Sequence, residues 1–373
     1  MRRVAGLGFA LWSATAAASP ITLTAEGGAE ADTNVARVES RTGEPERIAS
    51  VIGRLGSKVE TRNKVAGGTY VLQLSGLARM VGTSEAEAES SALLLGDLKW
   101  VHPIGTRPVA AGFGVTAVDA MPLADDIGAR TFRSLGADAV LILRNTDERA
   151  LTLTFGARDF TYKPDHDFDY TAPAASARLD LTLWEPAGGA RSVELSAWAG
   201  FEARSYNSTA LANACSDEEM REDPRTCFAG TSLQRHDRYH RIGAELTWTG
   251  RVVATAGYQL AVTDSNSFGQ SFVRHRVTLS STTALPWRLY GTALATLQFD
   301  QYLDGLVLLD DTMNQTFTTL DDENRSSLQL RLARQVTETW SVESRAAIWR
   351  DLDGDNNTTF RRAILYLGAI YNR

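Results

Sequence analysis

Beyond its N-terminal stretch the chain has no window approaching about eighteen uninterrupted apolar residues, which excludes helical membrane spans. Cysteine is almost absent: Cys215 and Cys227 are the two in 373 residues. Two thiols cannot build a disulfide scaffold, and no histidine lies near either at metal-ligand spacing, so no metal site is expected there. Both fall in one polar loop, and in an exported protein a local bond between them is the natural reading. Histidine is also scarce, with five residues. His236, His240 and His275 raise the thought of a Ser-His hydrolase, but no nucleophile motif accompanies them. The run Asp351-Leu352-Asp353-Gly354-Asp355 has its glycine one position after the second aspartate, and Arg362 where a calcium loop would close with glutamate. It reads as an acidic loop tip. No enzyme activity, cofactor, metal or nucleic-acid partner is therefore expected.

The beginning of the chain has the form of a secretory signal over residues 1–18. Arg2 and Arg3 precede an apolar stretch from Val4 to Trp12, and Ala16-Ala17-Ala18 suits cleavage before Ser19. The remainder, 19–373, reads as one domain. With net charge −7, 43% hydrophobic residues and a mean hydropathy of −0.19, composition alone would suggest a globular protein. Membrane β-barrels escape that inference, because half of each strand faces a polar lumen.

Period-two alternation recurs from end to end. Around Arg241–Thr263, Ile242, Ala244, Leu246 and Trp248 share one face, while Arg241, Gly243, Glu245 and Thr247 share the other. Beyond a turn at Gly250, expected to supply the positive φ of a tight hairpin, Val252, Ala254, Ala256, Tyr258 and Leu260 oppose Thr255, Gly257, Gln259 and Thr263. About sixteen such segments are expected between Ile21 and Tyr371, each near the ten residues that cross a tilted hydrocarbon layer. They include Ser192–Tyr206 and Arg235–Thr249. Connections alternate as well: those after even-numbered segments are brief, those after odd-numbered ones longer and acidic. The acidic links include Glu85, Glu87 and Glu89, then Asp165, Asp167 and Asp169, then Asp217 to Asp223. That alternation predicts an all-β, transmembrane, antiparallel up-and-down barrel with both termini periplasmic and the acidic loops outside. Divalent cations would bridge that rim to lipopolysaccharide; a merely solvated acidic face fits equally well.

The mature chain resembles bacterial outer-membrane β-barrel proteins of the porin kind. Tyr366-Leu367-Gly368-Ala369-Ile370-Tyr371-Asn372-Arg373 is similar to their C-terminal assembly signal, Gly368 and Tyr371 matching its glycine and first aromatic, with Arg373 replacing the final aromatic. Glu30-Ala31-Asp32-Thr33-Asn34-Val35 is similar to the first barrel strand of surface and exopolysaccharide export proteins. The resemblance implies outer-membrane lipid and lipopolysaccharide as surroundings, the barrel-assembly machinery as a partner and, on the export reading, a periplasmic export partner. Carrying the alternation through, the lumen should be lined by Arg54, Lys58, Arg158, Arg178, Asp180, Glu194, Glu202, Arg204, Arg241, Glu245, Arg274, Arg276, Arg331, Glu343 and Arg345. Charge facing lipid at mid-depth would cost about 2–4 kcal/mol each, so these side chains face water or one another. Three functions follow: a solute channel selecting by size and charge, a conduit for exopolysaccharide with Trp198, Tyr206, Tyr258 and Tyr290 as stacking faces, or a non-conducting structural barrel.

Overall fold

A computed structural model describes residues 21–37, 40–41, 47–125, 131–146, 148–186, 191–216, 227–303, 325–350 and 358–373. The expected leader, 1–18, and the Asp351–Asp355 run lie outside them.

The chain begins with β1 (Thr22–Asp32), the two-residue β2 (Ser40–Arg41), β3 (Ser50–Val65), β4 (Gly68–Val81), β5 (Ser91–Pro103) and β6 (Val109–Pro122). The middle holds β7 (Phe132–Thr146), β8 (Arg149–Tyr162), β9 (Tyr170–Trp184), β10 (Ser192–Asn213), β11 (Phe228–Thr249) and β12 (Val252–Ser265). The last are β13 (Phe272–Leu285), β14 (Leu289–Tyr302), β15 (Ser326–Gln335), β16 (Trp340–Arg350), the two-residue β17 (Thr358–Thr359) and β18 (Arg361–Asn372). Each long strand pairs antiparallel with its sequence neighbours, and β1 pairs with β18, closing a barrel of sixteen strands; β2 and β17 pair with each other. At the closing seam Gly28 faces Gly368 and Glu30 faces Tyr366.

The alternation decides which face is which. Ile242, Leu246 and Trp248 are exposed, as are Phe155, Leu179, Leu183, Leu328, Leu330 and Leu332. They form an apolar outer belt, and the polar residues between them turn inward, where every backbone group is already satisfied by the closed sheet. At the rim of short connections the belt ends in outward aromatics. Trp184 stacks on Trp248 with centroids 5.9 Å apart, Trp340 lies 5.2 Å from Tyr371, and Trp100 packs against Phe113. Such girdles mark the level of a membrane interface.

The two rims differ as the alternating connection lengths require. One carries two- to seven-residue links such as 66–67 and 286–288, together with both chain ends, where Leu23 and Arg373 exchange backbone hydrogen bonds of 2.8 Å. The other carries the long links, with a 3-10 turn at Ser84–Glu89 holding Glu85, Glu87 and Glu89 and another at His166–Phe168 flanked by Asp165 and Asp169. Asp217 to Asp223 lie outside the described residues.

Two expectations need correction. Gly250 does not adopt a positive φ; Ala66 and Gly67, and Trp287 and Arg288, do so in their turns. The β11–β12 register runs only to Trp248 with Ala254, leaving five residues to reverse the chain without a left-handed pair. What Gly250 provides is room, since a Cβ there would stand 3.0 Å from Trp248 Nε1. Second, β10 and β11 run on past Tyr206 and back before Arg235 as a paired arm ending at Asn213 and Phe228. Register shifts between Ser205, Thr209 and Leu211 break the alternation there, which hides the arm from a period-two reading. Cys215 and Cys227 are disulfide-bonded at its tip.

Candidate functional site

The inner wall holds the concentration of charged chemistry, and it divides into two zones. Toward the long-loop rim the charges are buried. At the seam Glu30 accepts from Arg54 Nη1 at 2.6 Å and Arg79 Nη2 at 3.0 Å, while Asp32 accepts from Arg362 Nη2 at 2.6 Å and Arg79 Nη2 at 3.4 Å. No side chain in this group exceeds 4% exposure. Strand pairing explains the grouping: β1 sits between β3 and β18, so Glu30 and Asp32 meet arginines from both sides.

Aromatic rings interleave with arginines around the same zone. Arg204 donates to Glu202 at 3.0 Å, and its guanidinium lies 4.8 Å from the Tyr170 ring and 4.5 Å from that of Tyr239. Arg235 pairs with Asp237 at 2.6 Å and covers Tyr206 at 4.1 Å. Arg274 pairs with Asp300 at 2.6 Å and lies over Phe272 at 5.1 Å. Further round, Glu343 holds Arg331 and Arg345, and Arg345 reaches Glu26 at 3.1 Å and the Tyr366 ring at 4.8 Å. A guanidinium stacked on a ring and bound to a carboxylate has its charge balanced, which burial demands.

Toward the short-turn rim the inner wall is more open. Lys58 and Glu60 pair at 3.2 Å with side chains 43% and 47% exposed. Arg178 donates to Asp180 at 2.9 Å and to Ser196 at 2.8 Å, while Arg158, higher on the wall toward the long loops, meets Asp138 at 2.8 Å with side chains 27% and 18% exposed. Glu194 accepts from Ser192 at 3.0 Å, and Arg241 stands 3.7 Å from Glu202. Glu245 and Arg276 share this inward face, Arg276 opposite Gln259 and Glu245 opposite Ser196.

The structure thus puts Arg54, Lys58, Arg158, Arg178, Asp180, Glu194, Glu202, Arg204, Arg241, Glu245, Arg274, Arg276, Arg331, Glu343 and Arg345 on the face opposite the exposed belt. It also supplies members that the sequence reading missed: Asp32, Arg235, Asp237, Asp300 and the rings of Tyr170, Tyr239, Phe272 and Trp349. Parity alone would have found several, since Asp32 lies two residues after Glu30, and Asp237 four before Arg241. Of the proposed stacking faces, Trp198 and Tyr290 point inward. Tyr206 also does so but is buried at 2% exposure, and Tyr258 is a correction. It belongs to the outer belt, 45% exposed, where its hydroxyl meets His275 Nδ1 at 2.8 Å. His240 and His236 are outward too, His240 against Phe201 and His236 3.2 Å from Ser205 Oγ.

Fold and faces together define a closed antiparallel barrel, apolar outside and charged inside, the architecture of bacterial outer-membrane barrels. No protein-family model matches the chain, nor does any curated protein. Among solved structures it is similar to Acinetobacter baumannii OccAB1, with TM-score 0.49 and 9% identity over 94% of this chain and 96% of that one. A bacterial polysaccharide outer membrane secretin gives TM-score 0.45 and 7% identity over 96% and 100%. Salmonella typhi OmpF, in complex with daunomycin, gives 0.46 and 11% over 95% and 98%. At these identities the likeness is one of architecture.

Proposed function

We propose that the protein is a passive channel of the bacterial outer membrane. Its apolar belt would meet lipid, its short turns and both termini the periplasm, and its long acidic loops the lipopolysaccharide surface. Folding would use the barrel-assembly machinery after removal of residues 1–18. Solutes would move along the inner wall, selected by size and by the charges that line it, with no covalent step.

The observation that carries this reading is the open zone. The exposed ion pair Lys58–Glu60 and the half-buried Arg178–Asp180 on an inward face need water inside the barrel, and a sixteen-stranded barrel is wide enough to contain it. Reconstitution in planar bilayers tests it, with stepwise ion conductance as the expected result. The buried collar favours a second reading, a barrel whose lumen is sealed and whose role is structural. A folded barrel, recognised by heat-modifiable migration on gels, that never opens at any voltage would decide for that second reading and against the channel.

A further inference from the structure

One part of the open zone is built differently from the rest. Across β9 to β13 a single register row places Arg178 opposite Trp198, Trp198 opposite Gly243, Gly243 opposite Gln259 and Gln259 opposite Arg276. Trp198 is an inward-facing tryptophan amid charges, and its indole lies across the backbone of the next strand. A Cβ added at Gly243 would come 2.5 Å from Trp198 Cζ2. The glycine is therefore a floor that leaves room for the half-buried indole to pack over the β11 backbone. Gly200 continues that floor beside it, where a Cβ would stand 2.9 Å from Arg241 Nε.

The groups around the ring are of both kinds. Arg178, tied to Asp180 and Ser196, stands on one side, and Gln259 followed by Arg276 on the other. Glu245, two residues along from Gly243, lies over Gly257. A ligand with one charge would be matched by side chains of the opposite sign. Here donors, acceptors and an amide that is both alternate around a flat apolar face. A sugar ring has the complementary form: hydroxyls that both donate and accept at its edge, and a C–H face that packs on an indole.

We propose that Trp198 is the platform of a saccharide-binding site on the channel wall, with Arg178, Asp180, Glu245 and Gln259 as its hydrogen-bonding edge. The site deepens the channel reading and rests on it for access, but its chemistry is separate from conduction.

The test uses the full-length barrel and linear malto-oligosaccharides of two to six units. In bilayers the sugar should interrupt the ion current, and W198A should shorten each interruption by roughly fivefold to tenfold, with W198F in between. E245Q and Q259A should shorten it less. Binding of the same sugars to the detergent-solubilised barrel, read by saturation-transfer NMR, should fall in parallel. All variants should keep wild-type heat-modifiable migration. A wild-type barrel that conducts but ignores the sugars, or a W198A barrel blocked as long as wild type, overturns the platform and leaves the channel standing. Binding that depends on Trp198 in a barrel that never conducts leaves the platform and overturns the channel.

Discussion

The two halves of the inner wall are made from the same residue types and solve different problems. In the long-loop half, Glu30, Asp32, Arg54, Arg79 and Arg362 are sealed from water, so each charge is held by two or more partners or stacked on a ring. In the short-turn half, Lys58–Glu60 stands as an exposed pair that water already satisfies, and Arg178–Asp180 is a half-buried one. Buried charge rigidifies because losing one partner strands the others; exposed charge is available to a solute because little holds it. The collar is thus the more rigid part of the wall, and on the channel proposal the open half would be the selective part.

Asp32→Ala should break this comparison hardest. It removes the carboxylate that receives Arg362 and part of Arg79, leaving three guanidiniums buried around Glu30 alone. The expected loss is about 3–5 kcal/mol, the usual consequence of orphaning buried charge. It should appear as a lower midpoint of heat modification or of urea unfolding. An unchanged midpoint would mean that water reaches the seam.

Gly28→Val should follow. At the seam a Cβ on Gly28 would come 2.4 Å from the Leu367 carbonyl oxygen on the neighbouring strand and 2.7 Å from Cε2 of the Tyr366 ring. Tyr366 also receives Arg54 and Arg345 on its ring, so displacing it loosens the lower edge of the buried half. Overpacking of this kind costs about 1–3 kcal/mol. A milder effect than that of Asp32→Ala, by the same assay, is expected, and Tyr366→Ala in the Gly28→Val background should recover little of the midpoint, because the Leu367 carbonyl still meets the new side chain.

Glu60→Ala supplies the matched control in the open half. Its partner Lys58 stays in water, so stability should change by less than about 1 kcal/mol. Ion selectivity should instead shift toward anions, read as a changed reversal potential under a salt gradient. A stability loss comparable to that of Asp32→Ala would erase the distinction between the halves.

How much of this could be read beforehand follows the same division. The barrel, its faces and its two kinds of rim were legible because period-two alternation survives wherever one face meets lipid and the other meets charge: Leu328, Leu330 and Leu332 announce β15 without ambiguity. The collar was only half legible. Parity places Arg204 inward, but that Tyr170 and Tyr239 flank it depends on which strands adjoin and at what register. The arm was missed because bulges after Ser205 scramble the alternation. Gly250 misled because a glycine between two strands suggests a left-handed turn, whereas Ala66, Trp287 and Arg288 show that other residues accept that strain here.

The arm supplies the smallest expected effect. The Cys215–Cys227 bond closes a loop twelve residues long at the tip of the β10–β11 extension, beyond the last barrel-level pairing near Arg204 and Asp237. Chain-entropy reasoning gives such a bond about 3 kcal/mol against opening of the loop it closes. That stabilisation is local, because the collar is held by its own ion pairs. The double substitution Cys215→Ser with Cys227→Ser should therefore leave the heat-modification midpoint of the barrel unmoved while speeding tryptic cleavage at Arg221 and Arg225. Wild type treated with reductant should behave the same way. The arm does touch the wall's upper edge, where Leu211 receives a hydrogen bond from the Phe268 backbone and donates to Ser267 Oγ, each at 2.9 Å. If the barrel midpoint falls together with the arm's resistance to trypsin, those contacts make arm and collar one cooperative unit, and the boundary of the buried half moves out to the disulfide.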